Sequence, residues 1–136
     1  MSLLLAVSSQ GIIGYEISEK AFDSNSFKEF IDNLNVKEGT NIVLDNVMFH
    51  KTKQVMNSFN SKKLIPIFIP PYSPQFNPIE IVFSIVKSQV RYKNSLNNFS
   101  RENLKDNLAY VLENYIKTRS FYNLFEHCAN ECLQEL

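Results

Sequence analysis

Residues 41–46 read Asn41-Ile42-Val43-Leu44-Asp45-Asn46. Three consecutive apolar residues without alternation, closed by a carboxylate, are the pattern of a strand covered on both faces with a polar group at its carboxyl end. The strand is therefore expected inside a sheet. Open α/β sheets bind ligands outside the carboxyl ends of their strands, which would turn Asp45 toward a site. The structural alternative is a turn, since Asp-Asn pairs also form turns and caps.

Working outward, residues 51–63 form a polar stretch with Val55, Met56 and Phe59 on one side, a short helix. Residues 64–69 return as a strand in which Pro66 cannot donate to a ladder, so this strand lies at an edge or contains a bulge. Upstream, the apolar runs 3–7 and 12–17 flank the turn residues Ser8-Ser9-Gln10-Gly11 and predict a hairpin. Phe27, Phe30, Ile31 and Leu34 share one helical face, which predicts a helix over 24–35 with a capping box from Ser26 to Glu29 and Gly39 beyond its end.

Downstream, four of the five prolines crowd into residues 70–78 and mark one unusual loop. Asn77-Pro78-Ile79-Glu80 then fits the N-cap, first-turn proline and N3 glutamate of a helix. Its apolar stripe is Ile79, Val82, Phe83, Val86 and Val90, and it runs to about residue 92. Ser100 can cap the next helix, with Phe99 and Leu104 as a staple and Leu104, Leu108, Val111, Leu112 and Tyr115 as its buried face. A last helix from about residue 120 buries Phe121, Leu124, Phe125, Cys128 and Cys132. Strands alternating with helices indicate an α/β layered domain with two extra C-terminal helices.

The chain has 136 residues, 44% of them hydrophobic, enough for one domain with its own core. Cys128 and Cys132, four apart in a helical pattern, read as small apolar residues of a reducing compartment. The run at 2–7 is too short for a signal peptide or a membrane span, so an intracellular protein is expected, nuclear in a eukaryotic cell and otherwise of the cytoplasm or nucleoid. Fourteen basic and fourteen acidic side chains cancel, which taken over the whole chain argues against a polyanionic partner. Taken by segment the balance differs. Residues 1–50 carry 3 basic and 7 acidic groups and residues 94–136 carry 4 and 6, whereas residues 51–93 carry 7 and 1, a net charge of +6. The single acid there is Glu80, amid Lys51, Lys53, Lys62, Lys63, Lys87, Arg91 and Lys93. Such a segment suits a phosphate backbone as well as it suits a solvated face.

Three candidates for chemistry have structural alternatives. Glu80 can close a capping box with Asn77, yet it also recurs with Ser84, Lys87 and Arg91 on a polar face opposite the apolar stripe. His50 lies five residues beyond Asp45, where it can orient a phosphate, a water or a carboxylate, or simply sit at the surface. His127, Cys128 and Cys132 suggest zinc, but a structural site wants four ligands and His127 turns away from the cysteine face, so core packing is the better reading.

The run Leu44-Asp45-Asn46, then His50, then PPYSPQFNPIE from Pro70 to Glu80, resembles the catalytic domain of the mariner-type DDE transposases and their bacterial insertion-sequence relatives. Asp45 and Glu80, with 34 residues between them, match the second and third acids of that family. Pro71, Tyr72, Ser73, Pro74, Asn77 and Pro78 match its motif loop, Phe83 and Lys87 match the aromatic and lysine after its glutamate, and residues 125–128 weakly resemble its closing helix. The likeness extends over about residues 3–128 and is sharp from 42 to 87. It implies a ribonuclease H-like mixed sheet flanked by helices, with a partial catalytic domain over 1–93 and a helical extension of that domain over 94–136. It further implies acidic side chains holding two Mg²⁺ or Mn²⁺ ions for DNA strand cleavage and transfer. Oxygen ligands suit those hard cations, and paired metals stabilise both the attacking and the leaving oxygen of a phosphodiester. Asp45 and Glu80 would be catalytic metal ligands, and Asn46 and His50 would support them or contact phosphate. The seven basic residues would track DNA.

One departure from the family pattern matters. The first acid of the family lies on a first, central strand upstream of the hairpin, and residues 3–7 carry no carboxylate. Glu16 and Asp23 are the nearest acids, and neither occupies the motif position. In the strand order 3-2-1-4-5 that the resemblance implies, loss of strand one opens a gap between the hairpin and the strand ending at Asp45. Direct pairing must close the gap, or buried backbone groups stay unmatched. The expectation is a C-terminal portion of a transposase, inactive alone for want of the first acid, whose partners are DNA, an upstream transposase segment or a full-length transposase, or a second copy. The alternative is a non-catalytic remnant that binds DNA or a transposase.

Overall fold

The computed structural model describes residues 1–97, 103–117 and 119–134, the side chains at 49, 97, 115 and 131–134 excepted. The chain opens with the expected hairpin, β1 (Ser2–Ser8) antiparallel to β2 (Gly11–Ser18). Leu3 pairs with Ile17 and Leu5 with Tyr15, and the register shifts between Ala6 and Val7, where Ile13 is the extra residue of a bulge. Gly11 sits at φ +145°, and a Cβ there would stand 2.7 Å from the carbonyl oxygen of Lys117. Only glycine lets the hairpin turn reach the C-terminal helices so closely. Ser9 fixes the same junction by accepting the Phe121 N–H at 2.8 Å.

Because side chains alternate along a strand, the hairpin serves two cores. Leu4, Ala6 and Ile13 pack against the first, which buries Phe27, Phe30, Ile31, Leu34, Leu44, Val55, Phe59 and Leu64. Leu3, Leu5, Val7, Ile12, Tyr15 and Ile17 pack against the second, which buries Val82, Val86, Leu108, Val111, Leu112, Ile116 and Phe121. Each fully buried aliphatic or Phe side chain contributes roughly 1.5–3 kcal/mol. The hairpin is thus the middle of an α/β/α arrangement.

Helix α1 (Ser24–Asn33) forms as expected but is capped one turn earlier. Asp23 accepts the Ser26 N–H at 2.9 Å and Ser26 Oγ accepts the Asp23 N–H at 2.8 Å, a reciprocal box that replaces the expected pairing of Ser26 with Glu29. A carboxylate at the N-cap is the better acceptor there, with the helix dipole favouring its charge. Strand β3 (Asn41–Leu44) leads through a 3₁₀ turn (Met48–Lys51) and α2 (Lys53–Ser61) to β4 (Ile65–Phe68), which pairs with β3 in parallel, Asn41 to Ile65 and Leu44 to Phe68. Among the described residues β3 is the one hydrogen-bonded neighbour of β4, so Pro66 occupies an edge strand as expected.

A 3₁₀ turn (Pro74–Phe76) and α3 (Pro78–Asn97) come next, then α4 (Leu104–Val111), which runs into a π-helical turn (Leu112–Ile116), and α5 (Tyr122–Gln134). The π turn is closed by the Lys117 N–H donating to the Leu112 carbonyl at 2.8 Å, five residues back. Val82 and Val86 of α3 are buried as the stripe requires, and Cys128 of α5 is buried while His127 is exposed. Phe99 of the expected staple, the expected cap Ser100 and the side chains of Tyr115 and Cys132 lie outside the described residues. No helix among the described residues is long and apolar enough to cross a membrane.

The fold class is mixed α/β, with one difference from the sequence reading. The strands form two separate two-stranded sheets, β1 with β2 and β3 with β4, so β3 does not lie inside a sheet. Among the described residues it has a strand on one side only, and Val43 is 45% exposed, together with Ile65 and Ile67 of β4 on the same face. The apolar run that predicted cover on both faces is covered on one. The gap anticipated between the hairpin and β3 is present and is not closed by pairing.

The hairpin is tied to the second core by the Tyr15 hydroxyl, which donates to Glu113 Oε1 at 2.7 Å, while Lys117 Nζ holds the other carboxylate oxygen at 2.8 Å. The bond to Glu113 raises the Tyr15 pKa, with burial and the adjacent charge adding to it, and the Lys117 and Tyr15 bonds lower that of Glu113. A lowered carboxyl contributes stability above its unfolded pKa and loses it as pH falls through the folded value; a raised phenol contributes below its unfolded pKa and loses it as pH rises through the folded value. Tyr15→Phe is therefore expected to melt below the parent at neutral pH, with the difference narrowing below pH ~4 and above pH ~10. Thermal melts across pH check this.

Candidate active site

A parallel pair ends both its strands at one edge, and the Ile69 N–H extends this ladder by donating to the Leu44 carbonyl at 2.9 Å. Asp45 leaves β3 there, and the proline loop leaves β4 there. The loop turns through Tyr72, whose φ of +57° is in the left-handed region and whose side chain is fully exposed, and Ser73 Oγ donates to the Pro71 carbonyl at 3.3 Å. The 3₁₀ turn at Pro74–Phe76 then delivers the chain to α3. Asp45, Asn46, Pro70, Tyr72, Ser73 and Glu80 accordingly border one cleft of about 350 Å³. Two carboxylates with 34 residues between them in sequence share a cavity wall.

The start of α3 shows how Glu80 is used. Asn77 is buried, and its Oδ1 accepts the Ile79 N–H at 3.1 Å, a side-chain cap on the first turn. In a capping box the glutamate at N3 would accept the N–H of the cap residue. That N–H instead donates to the Pro74 carbonyl at 3.1 Å, so the 3₁₀ turn occupies the place the glutamate would take. Among the described residues the Glu80 carboxylate makes no hydrogen bond, and it stands exposed at a helix N-terminus, where negative charge is favoured.

Asp45 is held from behind. The 3₁₀ turn at Met48–Lys51 folds His50 back until its Nδ1 lies 2.9 Å from Asp45 Oδ1 and 3.4 Å from the Asp45 carbonyl oxygen. The partner is a carboxylate, so the ring donates from Nδ1. His50 is buried and stacks on Phe27 of α1, with ring centroids 4.2 Å apart, whereas the Asp45 side chain is 48% exposed. One carboxylate oxygen is thereby fixed by a packed imidazole. Sequence spacing brought out His50; its support by Phe27 was hidden, because a helical apolar position carries no sign of what it packs against.

The seven basic side chains divide. Lys62 Nζ donates to the carbonyls of Asp32 and Leu34 and ties down the end of α1, Lys63 pairs with Glu38 at 3.3 Å, and Lys93 Nζ lies 3.0 Å from the Tyr110 ring centroid. Lys51 Nζ lies 5.0 Å from the Phe68 ring centroid. Lys53, Lys87 and Arg91 are exposed, and Lys87 and Arg91 continue along α3 the exposed face that begins with Glu80 and Ser84.

Mg²⁺ is commonly held by one or two carboxylates, with waters and substrate phosphates completing six oxygen ligands. The Asp45 and Glu80 pair fits that donor set for a single ion. Among the described residues no cluster of three or more His, Cys, Asp or Glu is placed to hold a metal by itself. Zinc at His127, Cys128 and Cys132 gains no support, since His127 is exposed and Cys128 is buried.

The division of labour at the start of α3 is testable by melting. Asn77→Ala is expected to lose about 0.5–2 kcal/mol of stability with its cap. Glu80→Gln is expected to stay within about 0.5 kcal/mol of the parent, as for a surface substitution outside any network. An equal loss in both variants would mean that Glu80 serves the helix.

No curated protein matches the chain. The family model described as DDE superfamily endonuclease matches residues 1–105, a span that includes the hairpin, Asp45, the proline loop, Glu80 and all of α3. With most of its length matched, the chain belongs to the DDE superfamily endonucleases, a transposase-type nuclease family that acts on DNA.

Proposed function

We propose that this chain is a transposase catalytic-domain fragment, in origin a metal-dependent DNA strand-cleaving and strand-transferring unit of ribonuclease H-like fold, and that it does not cleave DNA alone. In this reading residues 1–93 form the partial catalytic domain and residues 94–136 extend it. The observation that carries the proposal is the shared cleft of Asp45 and Glu80, each delivered by the edge of the parallel strand pair, with one Asp45 oxygen held by His50 and the Glu80 carboxylate not used in capping its helix. A Mg²⁺ or Mn²⁺ ion bound to them would polarise a phosphate oxygen and acidify an attacking water or hydroxyl. The chain's own share is positional. His50 holds Asp45 Oδ1, Asn77 and Pro74 fix the helix that bears Glu80, and Lys87 and Arg91 extend a basic face away from the cleft on which a phosphate backbone can lie. Asn46, on the cleft wall, is suited to contact phosphate.

The proposal of inactivity rests on the departure from the family pattern, whose first acid has no counterpart at residues 3–7. Purified protein with supercoiled plasmid and Mg²⁺ or Mn²⁺ is expected to give no metal-dependent nicking. Nicking that Asp45→Asn abolishes would overturn that part. Retention of duplex DNA is expected to fall steeply between about 50 and 200 mM salt, as counterion release dictates, and Lys87→Ala and Arg91→Ala should each reduce the log-log salt slope by about 1. DNA retention that ignores salt, or none at all, would contradict the basic face.

A further inference from the structure

Two non-glycine residues among those described hold a left-handed backbone, Lys63 at φ +53° and Tyr72 at φ +57°. The first has a structural reason. Lys63 follows the end of α2, its N–H donating to the Asn60 carbonyl at 3.0 Å and the Leu64 N–H to that of Phe59 at 2.9 Å, the double closure that helices commonly make through a left-handed residue. Tyr72 ends no helix. It follows Pro71 in a turn, and a turn with proline in second place and a positive φ in third normally takes glycine or asparagine there.

No packing of the side chain offsets the strain. The Tyr72 ring is fully exposed, and among the described residues it makes no hydrogen bond, ion pair or ring contact. What the conformation does is present an aromatic face at the rim of the cleft that Asp45, Asn46 and Glu80 border. Pro70, Pro71 and Pro74 fix the backbone dihedrals on either side, so the ring stands on a stiff loop.

We infer that the Tyr72 ring is a stacking platform for an unpaired DNA base beside the phosphate that the cleft receives. The inference rests on the DNA reading of Asp45 and Glu80 and adds a residue that meets the base rather than the backbone. Carboxylates with a cation, and the basic face of α3, deal with phosphate charge; the flat face of a base is matched by another flat ring. Inside a continuous duplex the neighbouring bases cover both faces of each base. The ring therefore acts at an end, a gap or a displaced strand. Every base has such a face, so the platform favours single-stranded over duplex DNA without choosing among sequences.

The test uses the whole chain with three DNAs of equal length: an oligothymidylate, the same backbone with abasic sites throughout, and a continuous duplex. The chain has no tryptophan, so Tyr72→Trp places a single indole at the rim. Its fluorescence is expected to be quenched by the oligothymidylate and not by the abasic strand. Tyr72→Asn removes the ring while suiting a left-handed backbone. That variant is expected to melt no lower than the parent and to bind the oligothymidylate roughly 5- to 150-fold more weakly, with abasic binding unchanged, whereas Tyr72→Phe binds as the parent does. Equal quenching by the two strands, equal affinity of the parent for them, or an equal loss in Tyr72→Phe would overturn the inference. So would a Tyr72→Asn chain that melts below the parent, since the ring would then serve the fold. Duplex retention that depends on Lys87 and Arg91 without these base effects sinks the platform alone; retention of none of the three DNAs sinks the DNA reading together with it.

Discussion

In a parallel pair both strands finish at the same end, and the ladder between Asn41–Leu44 and Ile65–Phe68 turns that rule into a site. Asp45 succeeds β3 and the proline loop succeeds β4, so a residue 35 positions beyond Asp45 returns to the same edge. Antiparallel pairing would have sent the two ends apart. Parallel pairing is made possible by the crossover through α2, whose Val55 and Phe59 are buried in the first core against α1 and Leu44. Packing in that core therefore fixes the carboxylate pair indirectly, and His50 stacked on Phe27 fixes one of the two directly.

The other carboxylate depends on a competition at the start of α3. A glutamate at N3 has a ready structural use, and the proline loop removes it. Pro74 accepts the N–H that Glu80 would otherwise accept, and Asn77 caps from the other side. The crowding of prolines thus does more than stiffen a loop: it makes the helix start self-sufficient and leaves an acid at a dipole end where negative charge is stable. A left-handed tyrosine, Tyr72, stands at the rim of the same cleft, a conformation that costs a bulky residue on the order of 1–3 kcal/mol and is tolerated where surrounding structure enforces it.

Much of this was legible in the residues. The hairpin, the apolar stripe of α3, Asn77 as its cap and the edge position of Pro66 all come from local pattern, because each is decided by neighbours within a few positions. The cap of α1 lies one turn before the predicted one, since Asp23 and Ser26 both carry acceptors and their relative strength decides. The standing of β3 was not legible. Ile42-Val43-Leu44 asks for cover on both faces, and whether a strand is there to give it is a property of the whole sheet. Likewise the basic segment reads as one uniform patch, yet Lys62 serves the end of α1 and Lys93 packs on Tyr110, contacts that arise from tertiary placement alone. Fewer of its charges stand exposed than the net of +6 suggests.

The claim most exposed to contradiction is that Asp45 and Glu80 hold one divalent cation between them. Iron substitution tests it without requiring any nuclease activity. Fe²⁺ bound in place of Mg²⁺ generates hydroxyl radicals at the site with ascorbate and peroxide, and these cut the polypeptide close to the metal. The expected result is backbone cleavage near residues 45–46 and 79–81 together, suppressed by excess Mg²⁺ and absent in Asp45→Asn and in Glu80→Gln. Cleavage at one of the two segments only, or a pattern unchanged in both variants, would contradict a shared cation site.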